Sequence, residues 1–290
     1  MKKTLFWGLL LYVVHFPLML SAQFHNSPLG FAHNTTGGSN GKVYTVTSLK
    51  DAGPGSLREA IQKPESLIIE FAVSGTIHLK SLINFKSNKT IDAANQKITI
   101  TGYGFNLYSD KNIIIRNLSF ENGLGEDAIS ISESSNIWID HCTFTGYKDG
   151  LVDIKRRSNN ITISWCYFHD HEKVILVGHS DNFTEDKGYL NVTLHHNYFL
   201  RNDRRHPRLR FGKAHVVNNY FKEIGVFACS SPNSGELFME ANYLEDVNEP
   251  SRVQHKKLEQ YIGYLQIKDN YNVNVSKPYR TNGKVFDPID

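Results

Sequence analysis

Ser135 to Asp153 reads SNIWIDHCTFTGYKDGLVD. Its first half, NIWIDHCTF from Asn136, recurs as NIIIRNLSF from Asn112 and NITISWCYF from Asn160, with a shorter form, NKTIDA, from Asn88. Asn88, Asn112, Asn136 and Asn160 therefore stand 24 residues apart. Each segment alternates apolar and polar residues, which is the period of a strand. Looser copies follow as NVTLHHNYF from Asn191, AHVVNNYF from Ala214 and LFMEANYL from Leu237. A repeat in the twenties made of short strands and turns, with little helical pattern, is the signature of stacked coils. We expect an all-β fold, a right-handed parallel β-helix solenoid. A β-sandwich also presents strands every 8–12 residues, but it does not require one residue type at a fixed offset in four copies. Aligning the copies puts Leu118, Cys142, Cys166, Asn197, Asn219 and Asn242 in one column. Asparagines facing inward at a bend can hydrogen-bond along the stack and satisfy turn backbone, so their expected role is structural.

Outward from this stretch, 290 residues suffice for one solenoid with a large core. Residues 1–22, MKKTLFWGLLLYVVHFPLMLSA, carry two lysines, an apolar run and a small-residue end. This reads as a secretory signal cleaved after Ala22, the other reading being an uncleaved membrane anchor. The expectation is a secreted protein, extracellular or periplasmic, free of the membrane after cleavage, monomeric, with residues 23–290 forming a single catalytic domain. In GPGSLREAIQ, Ser56 and Glu59 form a capping box, and Leu57, Ala60 and Ile61 share a face. A short N-terminal helix there would cap the open end of the solenoid. The polar tail after about residue 246 reads as a partial last coil with packing segments.

Without Lys2 and Lys3 the chain holds 30 basic and 29 acidic residues, so global charge does not favour nucleic acid. Locally, Arg201, Arg204, Arg205, Arg208, Arg210 and Lys213 crowd into 13 residues. Three cysteines do not make a disulfide framework. Cys142 and Cys166 should neighbour each other in adjacent coils, as stacked thiols or as a bonded pair.

Asp149 and Asp153 close the opening stretch in DGLVD. Even spacing on a strand aims both to one face, but Leu151 between them requires a local bend. Asp127 lies 22 residues earlier, about one coil. Three carboxylates on the outside of adjacent coils would either be ordinary solvated acids or share a hard, oxygen-seeking cation such as Ca²⁺. A shift of 24 residues carries Asp149 to Lys173, and a further 31 carries Lys173 to Arg204, one short of Arg205. The expectation is one exposed outer column of Asp127, Asp149, Lys173 and Arg204/Arg205, roughly 15 Å long. A groove that is acidic at one end and basic at the other suits a polyanion bridged by a cation.

WIDHCTF, DGLVDIK, the lysine of HEKVILVG and RHPRLRFGKAHVVNNYF resemble polysaccharide lyase family 1, the pectate lyases. The likeness runs over about residues 28–245 and includes the GKVYTVT and GPGSLREA entry segments. It implies a Ca²⁺-dependent β-elimination on polygalacturonate, leaving 4,5-unsaturated oligogalacturonides. It implies Asp127, Asp149 and Asp153 as metal ligands, Arg205 as the base that takes the C5 proton, and Lys173 and Arg210 as grips on substrate carboxylates. Many members carry a further acid two residues before the position of Asp127, where this chain has Gly125. That departure implies weaker calcium binding without substrate, or more water ligands.

Two alternatives remain at this level: a hydrolase of the same polymer on the same fold, and a non-catalytic β-helix that adheres to acidic polysaccharide. His141 and His215 lie in or beside repeat strands and are expected to be structural. Trp138 and Trp165 are expected to divide between core and surface.

Overall fold

Parallel stacking follows directly from the repeat. A computed structural model describes residues 27–253 and 262–287. The leader read from residues 1–22 lies outside the described residues. Among the described residues the strands pair in parallel, and partners sit one repeat apart, as in Ile137 with Ile113 on one side and Ile161 on the other. One sheet of ten strands runs in coil order from Lys42–Val46 through Ser135–Asp140 and Asn159–Ser164 to Tyr264–Lys268. The remaining strands line the other walls. The product is a parallel β-helix of about nine turns with almost no helix.

The repeated asparagine marks a backbone conformation. Asn88, Asn112, Asn136 and Asn160 all take φ between 56° and 60°. That left-handed region costs most residues about 1–2 kcal/mol, and asparagine tolerates it best after glycine. From Lys111–Arg116 onward, a second left-handed residue follows each strand of the ten-stranded sheet, at Asn117, His141, Trp165, His196, Asn218, Ala241 and Asp269. The next residue points inward and carries the polar ladder. Cys166 N–H donates to Asn197 Oδ1 at 3.0 Å, Asn197 Nδ2 to Asn219 Oδ1 at 2.9 Å, and Asn219 Nδ2 to Asn242 Oδ1 at 3.0 Å. Lower in the stack sulfur replaces the amide, with Cys142 N–H on Cys166 Sγ at 3.4 Å. Both are buried free thiols, as is Cys229.

Each copy's terminal phenylalanine fills the core. Phe120, Phe144, Phe168, Phe199 and Phe221 stack with successive centroids 4.9–5.1 Å apart, matching the coil rise. The helix Leu57–Gln62 closes the N-terminal end, with Ser56 Oγ capping Glu59 N–H as its spacing predicts. Residues 29–38 cross the outer face of the ten-stranded sheet. Ala32 N–H donates to Thr162, Phe31 N–H to Thr193, and Thr36 and Gly37 N–H to Asn112. Trp138, laddered between Ile114 and Thr162 on that face, is buried and donates to Ser164 Oγ. Trp165 is exposed and stacks between His141 and His196. The tail contributes Tyr264–Lys268 and Tyr271–Val273, which extend both walls by a further coil.

Candidate active site

The bend that the DGLVD stretch demands lies between Leu151 and Val152. Both side chains are fully buried, so two consecutive residues face the core. Gly150 and Asp153 on either side then both face out. The coil above repeats this pattern, with Val174 and Ile175 buried between Lys173 and Leu176. One coil higher the spacing changes. Lys173 pairs with Arg204 but Leu176 pairs with Arg208, so three residues stand where two stood below. The extra residue is a bulge, and Arg205 occupies it with φ 72°. His206 and Pro207 fill the inward positions and are buried. Bulges re-aim side chains, and a bulky residue at positive φ persists only where its surroundings enforce it.

The register corrects the expected column. Lys173 pairs with Gly150, not with Asp149. The outer column is Asp127, Gly150, Lys173 and Arg204, with Asp127 Oδ1 accepting the Gly150 N–H at 3.2 Å. Asp149 sits one residue earlier and reaches the column by its side chain alone, its Oδ1 2.7 Å from Lys173 Nζ. Asp153 belongs to a second column with Ser130, Leu176 and Arg208. The off-by-one arises because a 24-residue shift takes no account of the shorter spacing at this bend.

The expectation of exposed carboxylates is corrected too. Asp127 and Asp153 turn away from the core yet are only 9 % and 5 % exposed. Lys155, absent from the residues expected at the site, bridges them, its Nζ 3.1 Å from Asp153 Oδ2 and 3.4 Å from Asp127 Oδ2. Its spacing of two from Asp153 in DGLVDIK was the available signal, since alternate strand residues share a face. Asp181 was also missed. It accepts from Arg210 Nε at 2.7 Å and lies 3.7 Å from Arg208, while Arg210 donates to Gly178 O at 3.0 Å. Asp181 lies just beyond the HEKVILVG segment, and nothing in its spacing marks it.

Charge and burial set the ionisation of these groups. Burial, then the neighbouring Asp153, pushes Asp127 up to about 6, against the pull of Lys155 and the Gly150 N–H. Burial raises Asp153 as well. The Lys173 ammonium holds Asp149 below the usual carboxylate range. Arg205 is depressed, first by burial and then by Arg204 and Arg210, with Asp153 and Asp149 opposing. Arg208 falls to about 10, by burial and by Arg210 and Arg205. Arg205 forms no ion pair among the described residues, and its Nε is buried without a hydrogen-bond partner there.

The residues present fit a hard cation in kind. The donors are carboxylate oxygens, as Ca²⁺ prefers. A Cβ on Gly150 would lie 2.6 Å from Asp153 Oδ1 and 3.1 Å from Asp127 Oδ1, so the missing side chain leaves a space between those oxygens. Among the described residues, no three of Asp, Glu, His or Cys form a ready metal cluster. Asp149 is engaged by Lys173, and Lys155 takes the outer oxygens of the other two. His141 pairs with Asp140 and His215 with Glu240, both away from this wall, in keeping with structural roles.

Comparison with known proteins converges on one family. A family model described as pectate lyase matches residues 5–284. Probable pectate lyase 4 of Arabidopsis thaliana is 37 % identical over 227 residues, spanning 74 % of this chain and 61 % of that protein. Pectate lyase 1 of Ambrosia artemisiifolia is 38 % identical, spanning 73 % of this chain and 60 % of its own length. The chain thus covers less than two thirds of these relatives. Among solved structures, a pectate lyase from Bacillus sp. N165 in complex with trigalacturonate is 31 % identical, with TM-score 0.73 over 90 % of this chain and 92 % of that one. The cedar pollen allergen jun a 1 superposes with TM-score 0.81 at 26 % identity, over 90 % of this chain and 85 % of its own.

Proposed function

The chain belongs to the pectate lyase family, and on that premise we propose that it is a secreted, Ca²⁺-dependent lyase of de-esterified homogalacturonan. The product would be 4,5-unsaturated oligogalacturonide. One observation carries the proposal: Asp127, Asp149 and Asp153 share a wall with Lys173, and the bulge places Arg205 one coil above Lys173.

Asp127, Asp149 and Asp153 would hold the ion. Ca²⁺, when bound, withdraws charge from a galacturonate carboxylate and so acidifies the adjacent C5–H. The chain's own residues do the rest. Lys173 and Arg210 orient the uronate carboxylates, and Lys173 adds positive charge where the enolate-like transition state gathers negative charge. Arg205 takes the C5 proton. Arginine in water stays charged far into the alkaline range, so a base role needs a depressed value. Burial among Arg204 and Arg210 supplies that direction. Expulsion of the C4 oxygen completes the elimination without consuming water.

A hydrolytic reading draws on Asp127, whose carboxyl, pushed up to about 6, has the character of a general acid. One assay separates the readings. Polygalacturonate is incubated with the protein, with and without EDTA, following ultraviolet absorbance of unsaturated ends alongside reducing ends. The lyase gives absorbance that the chelator abolishes and added Ca²⁺ restores. Saturated reducing ends that survive the chelator would mean a hydrolase, and binding without either product an adhesive module.

A further inference from the structure

We propose that Lys155 is a built-in counter-cation for the Asp127–Asp153 pair, which must leave before a divalent ion enters, so that ion and acidic polymer bind cooperatively. The inference rests on the calcium reading above and adds a role for a residue that reading does not use.

Two carboxylates side by side and nearly buried repel strongly. Something positive must offset it. Lys155 does, and the four oxygens divide cleanly. Asp127 Oδ1 accepts the Gly150 N–H, and Asp153 Oδ1 faces the space beside the Gly150 α-carbon. Both Oδ2 atoms turn to one ammonium, at 3.4 and 3.1 Å. The wall therefore has three carboxylates and two lysines, with Lys173 on Asp149.

A calcium ion takes its oxygens at roughly 2.3–2.6 Å and needs six to eight of them. It cannot take both oxygens of either carboxylate while an ammonium holds the Oδ2 atoms, and the two cations repel. Lysine suits displacement, being a point charge on a flexible four-carbon stem, where a bidentate arginine would be harder to dislodge. Lys155 lies in register between Ser132 and the Gly178 position, on the wall that leads to Arg210. A polymer carboxylate arriving there gives the ammonium a second partner. Whatever factor the polymer adds to ion affinity, the ion must add to polymer affinity.

The test measures ion binding directly, by calorimetric titration of Ca²⁺ into the full chain. Arg205→Lys serves as background so that trigalacturonate is not consumed. On that background, saturating trigalacturonate should tighten Ca²⁺ by roughly tenfold or more. Lys155→Met should tighten Ca²⁺ about as much without any saccharide, and the saccharide should then add little. Lys155→Arg, which keeps the charge and provides a second folded variant, should bind Ca²⁺ no tighter than the parent. Unchanged or weaker binding in Lys155→Met would overturn the inference and leave the calcium reading standing. Absence of Ca²⁺ binding in every variant, with and without saccharide, would overturn both. A residue needed only for folding would not tighten the ion when removed.

Discussion

The Lys173 ammonium sits 2.7 Å from Asp149 Oδ1, although the backbone partner of Lys173 is Gly150. The pair is thus made by side chains reaching across a one-residue offset. Both are partly exposed, and pairs open to solvent contribute only about 0–1 kcal/mol to stability. Lys173→Met should therefore melt within a few degrees of the parent. Its turnover on polygalacturonate should fall by about 10²–10³, the usual loss when one transition-state donor is removed. Steady-state rates beside a thermal melt check both halves.

Arg205→Lys should lose about 10²–10⁴ in turnover while still binding oligogalacturonate, because it removes the proposed base and keeps the charge. In the parent, activity should climb with pH into the alkaline range as the burial-depressed guanidinium gives up its proton. A pH–rate profile flat from neutral upward, or full activity in Arg205→Lys, would remove Arg205 from that role.

Gly150→Ala would place a methyl 2.6 Å from Asp153 Oδ1 and 3.1 Å from Asp127 Oδ1. Overpacking of this kind costs about 1–3 kcal/mol. The displaced carboxylates should lower turnover by about 100-fold, since a 1 Å misplacement is enough for that. Chemical denaturation and kinetics on one preparation report both effects.

His206 links pH to stability. It is fully buried against Phe199 and Phe221, bonded to Ala228 O, and burial pushes its pKa from 6.5 to about 4. Above pH 6.5 the imidazole is neutral in both folded and unfolded chains. Below it the unfolded chain takes up a proton that the native chain refuses. Stability should fall by roughly 3 kcal/mol between pH 6.5 and 4 through this residue alone. His206→Gln should flatten that part of the curve in urea melts taken across the range. The bulge carrying Arg205 immediately precedes it, so activity should fail as the acid limb is entered.

Asn219 holds the inner ladder by donating to Leu194 O, Val217 O and Asn242 Oδ1 and by accepting from Asn197. Asn219→Leu should cost about 1–3 kcal/mol for each buried group left unpaired. The loss should appear as a lower urea midpoint with turnover per folded molecule unchanged.

Legibility of the site from sequence differs residue by residue. The asparagine, phenylalanine and cysteine columns were readable because a solenoid converts a fixed offset in sequence into vertical neighbourhood in space. Asp127, Asp149, Asp153 and Lys173 were reachable as candidates through spacing, and Arg205 and Arg210 through the resemblance of RHPRLRFGK. Their mutual arrangement was not. A constant shift fails wherever a coil gains or loses a residue, and the site lies where one gains it: two residues separate Lys173 from Leu176, three separate Arg204 from Arg208.

The sequence by itself determined the architecture, because strand alternation and a 24-residue period admit one economical way to bury the apolar face. It also determined which residue types could carry the chemistry. Only the tertiary structure decided that Asp149 and Lys173 are offset partners, that Lys155 neutralises Asp127 and Asp153, and that Arg205 rides a left-handed bulge. The physical reason is range. Periodicity is a local backbone property repeated many times, whereas ion pairing and burial depend on side chains from different coils meeting within about 4 Å, a distance that a one-residue insertion resets.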